Sequence, residues 1–426
     1  MLRLAGGLLI LALAALPSLA WAEPLLWNGS LSQAQVIARA RQSFDAQLAE
    51  LGAASAEAQA RSARAGTLPQ VWVSATAMNS SLVQLGMPTA RQTYGSVNAS
   101  VPIFTPQAWA AARAASLDAS AARASAAMGM NEAVASAVQH YTAVALAEAI
   151  AEQRSSDVRD QQAHLTRTQQ RVRAGAAPRY LIARDEAALA QAQQSQEDAK
   201  ATAVRARHAL DVLLDLDTAS RPVVTLSAPS PTFAPDAAAL ERRAYAQRPD
   251  VLAAERKRKA ALQRITSARS EYLPTISATA QTYNGVSNPA LGGAGSQVGV
   301  SASLPLFDGG SRSADLQMAQ VAYQRARIEL DRTRLQAQAN VLDAVRDLQA
   351  AQRNVATANS ELANAKIELR ITQVRERSGK GIELETLDAL ATLANAREDV
   401  LRAMARYNDS LAALHAAVGD YAPENY

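Results

Sequence analysis

Residues 311–378 contain neither Gly nor Pro. A run of that length without a breaker predicts one continuous helix, and at about 1.5 Å per residue it would extend on the order of 100 Å. Such an element is several times wider than a small domain, so it must serve as a wall, a spacer or a filament. The seven residues before it are as informative. The segment LPLFDGG (residues 304–310) places Pro305 where a strand ladder stops and Phe307 just beyond it. Asp308, Gly309 and Gly310 then permit a sharp exit and a capped helix start.

The whole pattern occurs twice. TLPQVWVSATA (residues 67–77) returns as YLPTISATAQT (272–282), NASVPIFTP (98–106) as SASLPLFDG (301–309), and RVRAG (171–175) as RERSG (375–379). The spacing stays close to about 204 residues and the order is kept, which defines tandem copies at about 31–216 and about 236–418. The expected organisation is a leader over 1–22, a first repeat over 23–220, a proline-rich extended linker over 221–235, and a second repeat over 236–426. Each repeat should hold a helix (31–64; 236–269), two strands, a very long helix, a glycine turn and a shorter helix (178–216; 384–418). In the first copy Thr105 and Pro106 should act as N-cap and first helical residue, just after Pro102 and Phe104. Apolar or small residues recur every seven along the long helices: Ala137, Val144, Val158 and Leu165, then Leu348, Val355, Leu362 and Leu369. That period predicts coiled-coil seams, and alanine within them lets helix axes approach closely.

Between the helices charge disappears. Residues 272–307 carry no charged side chain and 65–112 carry only Arg91, although charged residues make up 19% of the chain. Paired strands are expected at 70–80 with 92–103 and at 275–284 with 297–306, with loops at 80–90 and 285–296. Val71, Val73, Ala75 and Ala77 alternate with Trp72, Ser74 and Thr76, and Val298, Val300 and Ala302 alternate with Gly299, Ser301 and Ser303. Strands of about ten residues, apolar on one face and Ser, Thr, Asn or Gln on the other, carry the pattern of a membrane β-strand with a wet interior. A soluble hairpin pair packed on helices is the alternative, but a soluble edge normally displays Lys or Glu. Four strands do not close a barrel, and an open edge is forbidden in lipid, so identical chains must supply the rest.

The chain begins MLRLAGGLLILALAALPSLAWA, with one Arg, an apolar run and small residues flanking Trp21, which predicts a secretory leader cleaved after Ala22. There is no cysteine, which excludes disulfides and a lipidated N-terminal Cys. The 43 basic and 39 acidic residues are intermixed, which reads as a solvated helix surface and not as a nucleic-acid stripe. His140, His164, His208 and His415 are scattered without ligand spacing, and no nucleophile elbow or phosphate loop occurs, so neither catalysis, a metal nor a cofactor is expected.

In the order of these parts, with strand ends VPIF and LPLFDGG and turns RVRAG and RERSGKGIELETLDA, the mature chain resembles the TolC-like outer-membrane efflux proteins. The resemblance implies an α+β membrane protein: a homotrimer with four strands per chain forming a 12-stranded outer-membrane barrel, continued by a long periplasmic α-helical barrel. It implies a passive conduit for a tripartite efflux pump or a type I secretion system, partnered by a periplasmic adaptor and an inner-membrane pump. Arg171, Arg173, Gly175, Arg375, Arg377 and Gly379 would then form the adaptor-contacting tip, although a plain helix end with dipole-favoured bases and a terminating Gly predicts the same residues. Glu385 and Asp388 match the family's pore-closing acids; without the resemblance they are solvated helix charges. The sequence departs from the family where a latch can carry Tyr and Arg: Glu376 and Gly381 stand there, and Leu181 occupies the first copy's equivalent of an acidic position. A periplasmic coiled-coil adaptor or scaffold is the rival reading, opposed by the charge-free strands and the duplication.

Overall fold

The computed structural model describes residues 26–80, 90–226, 236–286 and 295–419. The expected leader at 1–22 and most of both expected strand loops lie outside them. In chain order the elements are β1 (Asn28–Ser30), α1 (Gln33–Ala40), α2 (Phe44–Ala65), β2 (Gln70–Ser80), β3 (Ala90–Phe104), α3 (Pro106–Arg173) and α4 (Tyr180–Leu213). They continue with β4 (Arg221–Val223), α5 (Ala237–Gln247), α6 (Pro249–Ser270), β5 (Thr275–Val286), β6 (Gly295–Ser303), α7 (Ser311–Arg377) and α8 (Glu383–Val418).

The first helix of each copy, expected to be continuous, is broken in both. Ser43 leaves helical geometry and its hydroxyl accepts from the Ala46 N–H at 3.5 Å, which starts α2 afresh. In the second copy Pro249 holds Arg248 extended at ψ 125°, because the proline ring disfavours helical geometry in the residue before it. The expected linker is also not wholly linker. Its first three residues form β4, parallel to β1, with Arg221 N–H to the Trp27 carbonyl at 2.8 Å and Leu31 N–H to the Val223 carbonyl at 3.0 Å.

The long helices run unbroken for 68 and 67 residues. Their heptad positions are the core: Ala137, Val144 and Leu165 are buried on α3, and Leu348 and Val355 on α7. Two similar clusters result, one where α1, α3 and α4 meet and one where α5, α7 and α8 meet. Tyr141 of the first donates its hydroxyl to the Thr225 carbonyl at 3.2 Å, pinning the crossover between copies. The copies also join along α3, which packs on α2 on one side and on α6 on the other.

The four longer strands make one antiparallel sheet in the order β2-β3-β5-β6, so β3 and β5 join the two copies and β2 and β6 are left as edges. β6 stops at Ser303, short of the expected end at 306, whereas β3 runs through Pro102 to Phe104 with a register shift between them. The difference follows from position: β3 has β5 to hold it beyond its proline, and β6 is an edge whose Pro305 has no N–H to give.

Candidate functional site

The sheet is polar on one side and apolar on the other, and the chain covers neither. On the polar side Ser74 and Ser96 hydroxyls lie 2.7 Å apart, the Asn98 amide donates to Ser96 at 3.1 Å, and Ser277 and Ser301 are 3.0 Å apart. On the other side Val71, Val73, Val298 and Val300 are exposed, Val298 to 82%. Water-exposed valines in a row on an unprotected edge are a liability in solution and an ordinary surface in lipid.

Below the sheet each copy turns into its long helix. Thr105 occupies the N-cap position and Pro106 the first helical position, but the threonine makes no capping bond, and its hydroxyl is buried without a hydrogen-bond partner. Phe104 instead packs edge-on against Trp109, with ring centroids 5.7 Å apart. In the second copy Asp308 does the capping. It accepts from the N–H of Gly310 at 3.0 Å and of Arg312 at 3.1 Å, while the Arg312 side chain also donates to it at 2.6 Å. Those bonds, led by the Arg312 side chain, hold its carboxyl below the usual range. Arg312 in turn lies over the Tyr272 ring at 4.9 Å. Pro305 and Phe307 stand outside the strand, and Phe307 is almost fully exposed.

At the far end both long helices close with the same motif. Gly175 and Gly379 adopt φ 70°, and the residues after them return their N–H groups to the carbonyls of Arg171 and Arg375, both at 2.9 Å. This is the left-handed glycine cap that the repeated R-x-R-x-G spacing encodes. Arg173 and Arg377 point into solvent, whereas Arg171 pairs with Glu376 across the two copies. Glu376 also accepts the hydroxyl of buried Thr386 at 2.7 Å. Gly381 follows directly, and a Cβ there would lie 2.9 Å from that of Arg375. The two positions that depart from the family pattern are therefore a built feature: an acid bridging three helices and a glycine that lets the turn fold tightly.

Glu385 lies on the first turn of α8, half-buried, 3.9 Å from Arg375. Asp388 is exposed, in a groove of about 330 Å³ shared with Arg154, Asp157, Asp160 and Arg184. The chain thus separates the two acids: one leans toward its own α7, and the other opens onto the groove between α3, α4 and α8. The groove is backed by a network that the sequence did not announce. Arg154 and Arg402 both pair with Glu398, and Arg397 lies 3.7 Å from Asp157 and 3.1 Å from Asp160. Burial raises the Asp157 carboxyl against the pull of Gln153 and both arginines. Nearer the tip, His164 and Asp185 are buried together at 3.6 Å, with burial pushing the imidazole down. Apart from Arg402–Glu398, four residues apart on α8, these pairs have no signal in sequence spacing, because each joins different helices.

Among the described residues no helix is long and apolar enough to cross a membrane. The outer membrane efflux protein family matches residues 37–215 and again 240–420, and the chain belongs to that family. It is an outer-membrane protein with a large periplasmic helical part, and a transport protein, not an enzyme. Among solved structures it is similar to the outer membrane protein VceC of Vibrio cholerae, at 21% identity over 91% of this chain and 96% of that one, TM-score 0.79. The Campylobacter jejuni outer membrane channel CmeC aligns at 18% identity over 91% and 85%, TM-score 0.80. The open state of the Neisseria gonorrhoeae MtrE outer membrane channel aligns at 20% over 91% and 89%, TM-score 0.77. Comparison with curated protein sequences finds no match.

Proposed function

We propose that the chain is the outer-membrane conduit of a tripartite efflux pump or type I secretion system, working as a homotrimer. Three copies would contribute four strands each to a 12-stranded barrel, with the helices continuing it through the periplasm. The observation that carries this reading is the sheet: uncharged but for Arg91, two-faced, open at both edges, and feeding directly into helices of 68 and 67 residues. Its polar side would line a wet passage and its valines would face lipid, with Phe307 near the interface.

In this reading the glycine-capped tips point toward the inner membrane. Arg173 and Arg377, free of the pairing that holds Arg171, are placed to meet a periplasmic adaptor, which in turn engages an inner-membrane pump. Glu385 and Asp388, repeated around the axis, would ring the narrow end with carboxylates that attract cations. Passage would be passive, with cargo chosen by the pump.

Purified protein tests the conduit. A detergent-extracted trimer that conducts in planar bilayers supports it; a monomer stable in plain buffer and silent in bilayers defeats it. Crosslinking from cysteines at Arg173 and Arg377 identifies the adaptor, and whether small compounds or an unsecreted protein accumulate in a deletion strain separates efflux from secretion.

A further inference from the structure

The groove between α2 and α3, directly below the sheet, holds more positive charge than the chain neutralises. Arg61, Arg64, Arg113 and Arg123 line it with Trp109 and a single acid, Glu57, around a volume of about 630 Å³. Glu57 pairs with Arg123. Arg61, Arg64 and Arg113 are exposed and form no ion pair with any described residue. Three like charges around one concave surface repel one another, and an anion from outside the chain relieves that repulsion.

The strand above the groove fixes the side on which it opens. The register of β3 shifts between Pro102 and Phe104, so that Pro102 stands opposite Ser277 and Phe104 opposite Ile276. Ser277 belongs to the polar side, where its hydroxyl meets Ser301, so Ile276 and Phe104 lie on the apolar side. Phe104 packs on Trp109, and Trp109 lines the groove, which therefore continues the apolar side of the sheet downward. Arg64 is on the last turn of α2 and Arg113 on the second turn of α3. At about 1.5 Å per residue, all three arginines start within about 10 Å of the helix ends next to the sheet. Helical side chains tilt toward the N-terminus of their helix. Because α2 enters the sheet and α3 leaves it, Arg61 and Arg64 lean down the wall and Arg113 leans up it, converging on one place.

The second copy does not repeat the feature. One repeat on, Arg64 returns as Arg269, but the places of Arg61 and Arg113 fall on uncharged residues, Thr266 and the pair Leu316–Gln317. Another arginine at this level, Arg312, is already held by Asp308 at 2.6 Å. The open charge is a property of the α2–α3 groove and not of the repeat. We propose that this groove binds the phosphate of an anionic phospholipid headgroup in the leaflet around the base of the sheet. The guanidinium groups take the phosphate oxygens, for which their paired N–H donors are shaped. Trp109 sits at headgroup depth, where indole rings are favoured, and the acyl chains run up the apolar side past Phe104. This rests on the reading of the sheet as the membrane-crossing part and adds a specific lipid to it.

Native mass spectrometry of the detergent-purified chain counts the bound lipid. Phosphatidylglycerol should fill one saturable site per chain, at least about tenfold more tightly than phosphatidylcholine with the same acyl chains. The triple variant Arg61→Gln, Arg64→Gln, Arg113→Gln should lose on the order of 100-fold in affinity, about fivefold for each arginine at a membrane surface. A charge-matched control, Arg325→Gln, Arg353→Gln, Arg370→Gln, removes three exposed arginines of α7 and should bind as the native chain does. If the triple variant fails to keep the native size in detergent, Arg113→Gln alone carries the test, with a loss of about fivefold expected. Excess inorganic phosphate should leave the lipid bound; its displacement would make this a site for a free anion and overturn the headgroup. Equal affinity for the two lipids, or an equal loss in the control, overturns the groove as a lipid site and leaves the conduit standing. A native chain that is soluble without detergent and takes up neither lipid overturns both.

Discussion

Asp409 on α8 faces α3, where Thr142 bonds one of its oxygens while the other is buried without a hydrogen bond. Burial lifts its pKa to about 6, against the smaller pull of Thr142. The sign follows from linkage: below about pH 4 both folded and unfolded chains hold the proton, and between about 4 and 6 only the folded chain does. Stability attributable to this group therefore falls as pH rises through that window, and a constant penalty remains above it. Replacing Asp409 with Asn should raise the thermal midpoint of the detergent-solubilised protein at pH 7.5, by on the order of 1 kcal/mol after solvent screening is allowed for. The advantage should vanish near pH 4. An equal shift at both pH values would remove the carboxyl's charge as the cause.

The same scale holds the Arg171–Glu376–Thr386 contact. Glu376→Ala removes the carboxylate shared by Arg171 and the buried Thr386 hydroxyl and should loosen the tip, read as faster amide exchange at 171–180 and 375–386. The exchanged pair Arg171→Glu with Glu376→Arg should recover at least part of the protection, whereas a purely steric role for Glu376 predicts no recovery. Burial of the pair is partial, so its worth is nearer that of a surface ion pair than of a buried one.

At the scale of elements, the long helices are held by small side chains at a seven-residue period and not by amphipathic bulk. Leu348 is fully buried where α7 meets α8 and α5, so Leu348→Ala should cost about 2–5 kcal/mol through cavity formation. Ala337 is also fully buried, against Val251 and Leu330, and Ala337→Leu should destabilise by about 1–3 kcal/mol through overpacking. Thermal unfolding of both variants checks the sign that matters: a seam this close tolerates neither a smaller nor a larger residue. If Ala337→Leu were neutral, the axes would be farther apart than the alanine burial requires.

These seams were legible in advance because period seven is a local property of the sequence, and so were the strands, from Gln70–Ser80 onward. The breaks at Ser43 and Arg248 were not foreseen, although Pro249 was a signal for the second. Nor was β4 within the expected linker, since three residues acquire strand geometry only by pairing with β1, almost 200 residues away. Thr105 shows the opposite failure: the residue type fits a cap, but its hydroxyl is buried without a hydrogen bond, next to the Phe104–Trp109 ring pair.

On the scale of the whole molecule, the acids at the tip matter only if copies converge on an axis. Glu385→Ala with Asp388→Ala should raise leak current and weaken block by divalent cations in planar bilayers. Unchanged conductance and block would remove both from the constriction. Because Glu385 leans on Arg375 and Asp388 does not, the single variants should differ, with Asp388→Ala changing cation block more.

Composition, period and repetition along the chain were enough by themselves to determine two copies, long alanine-seamed helices, strands of alternating face almost without charge and glycine-ended tips, since each is set by neighbours within a few residues. Tertiary structure alone decided which copy meets which: that β3 lies on β5, that α6 crosses to α3, that Glu376 reaches Arg171, and that β2, β6, α2 and α7 keep open faces. The physical reason is distance along the chain. A side-chain pattern states what surface an element presents, whereas its partner is chosen by packing among residues about 200 positions apart, and that choice is written only in three dimensions.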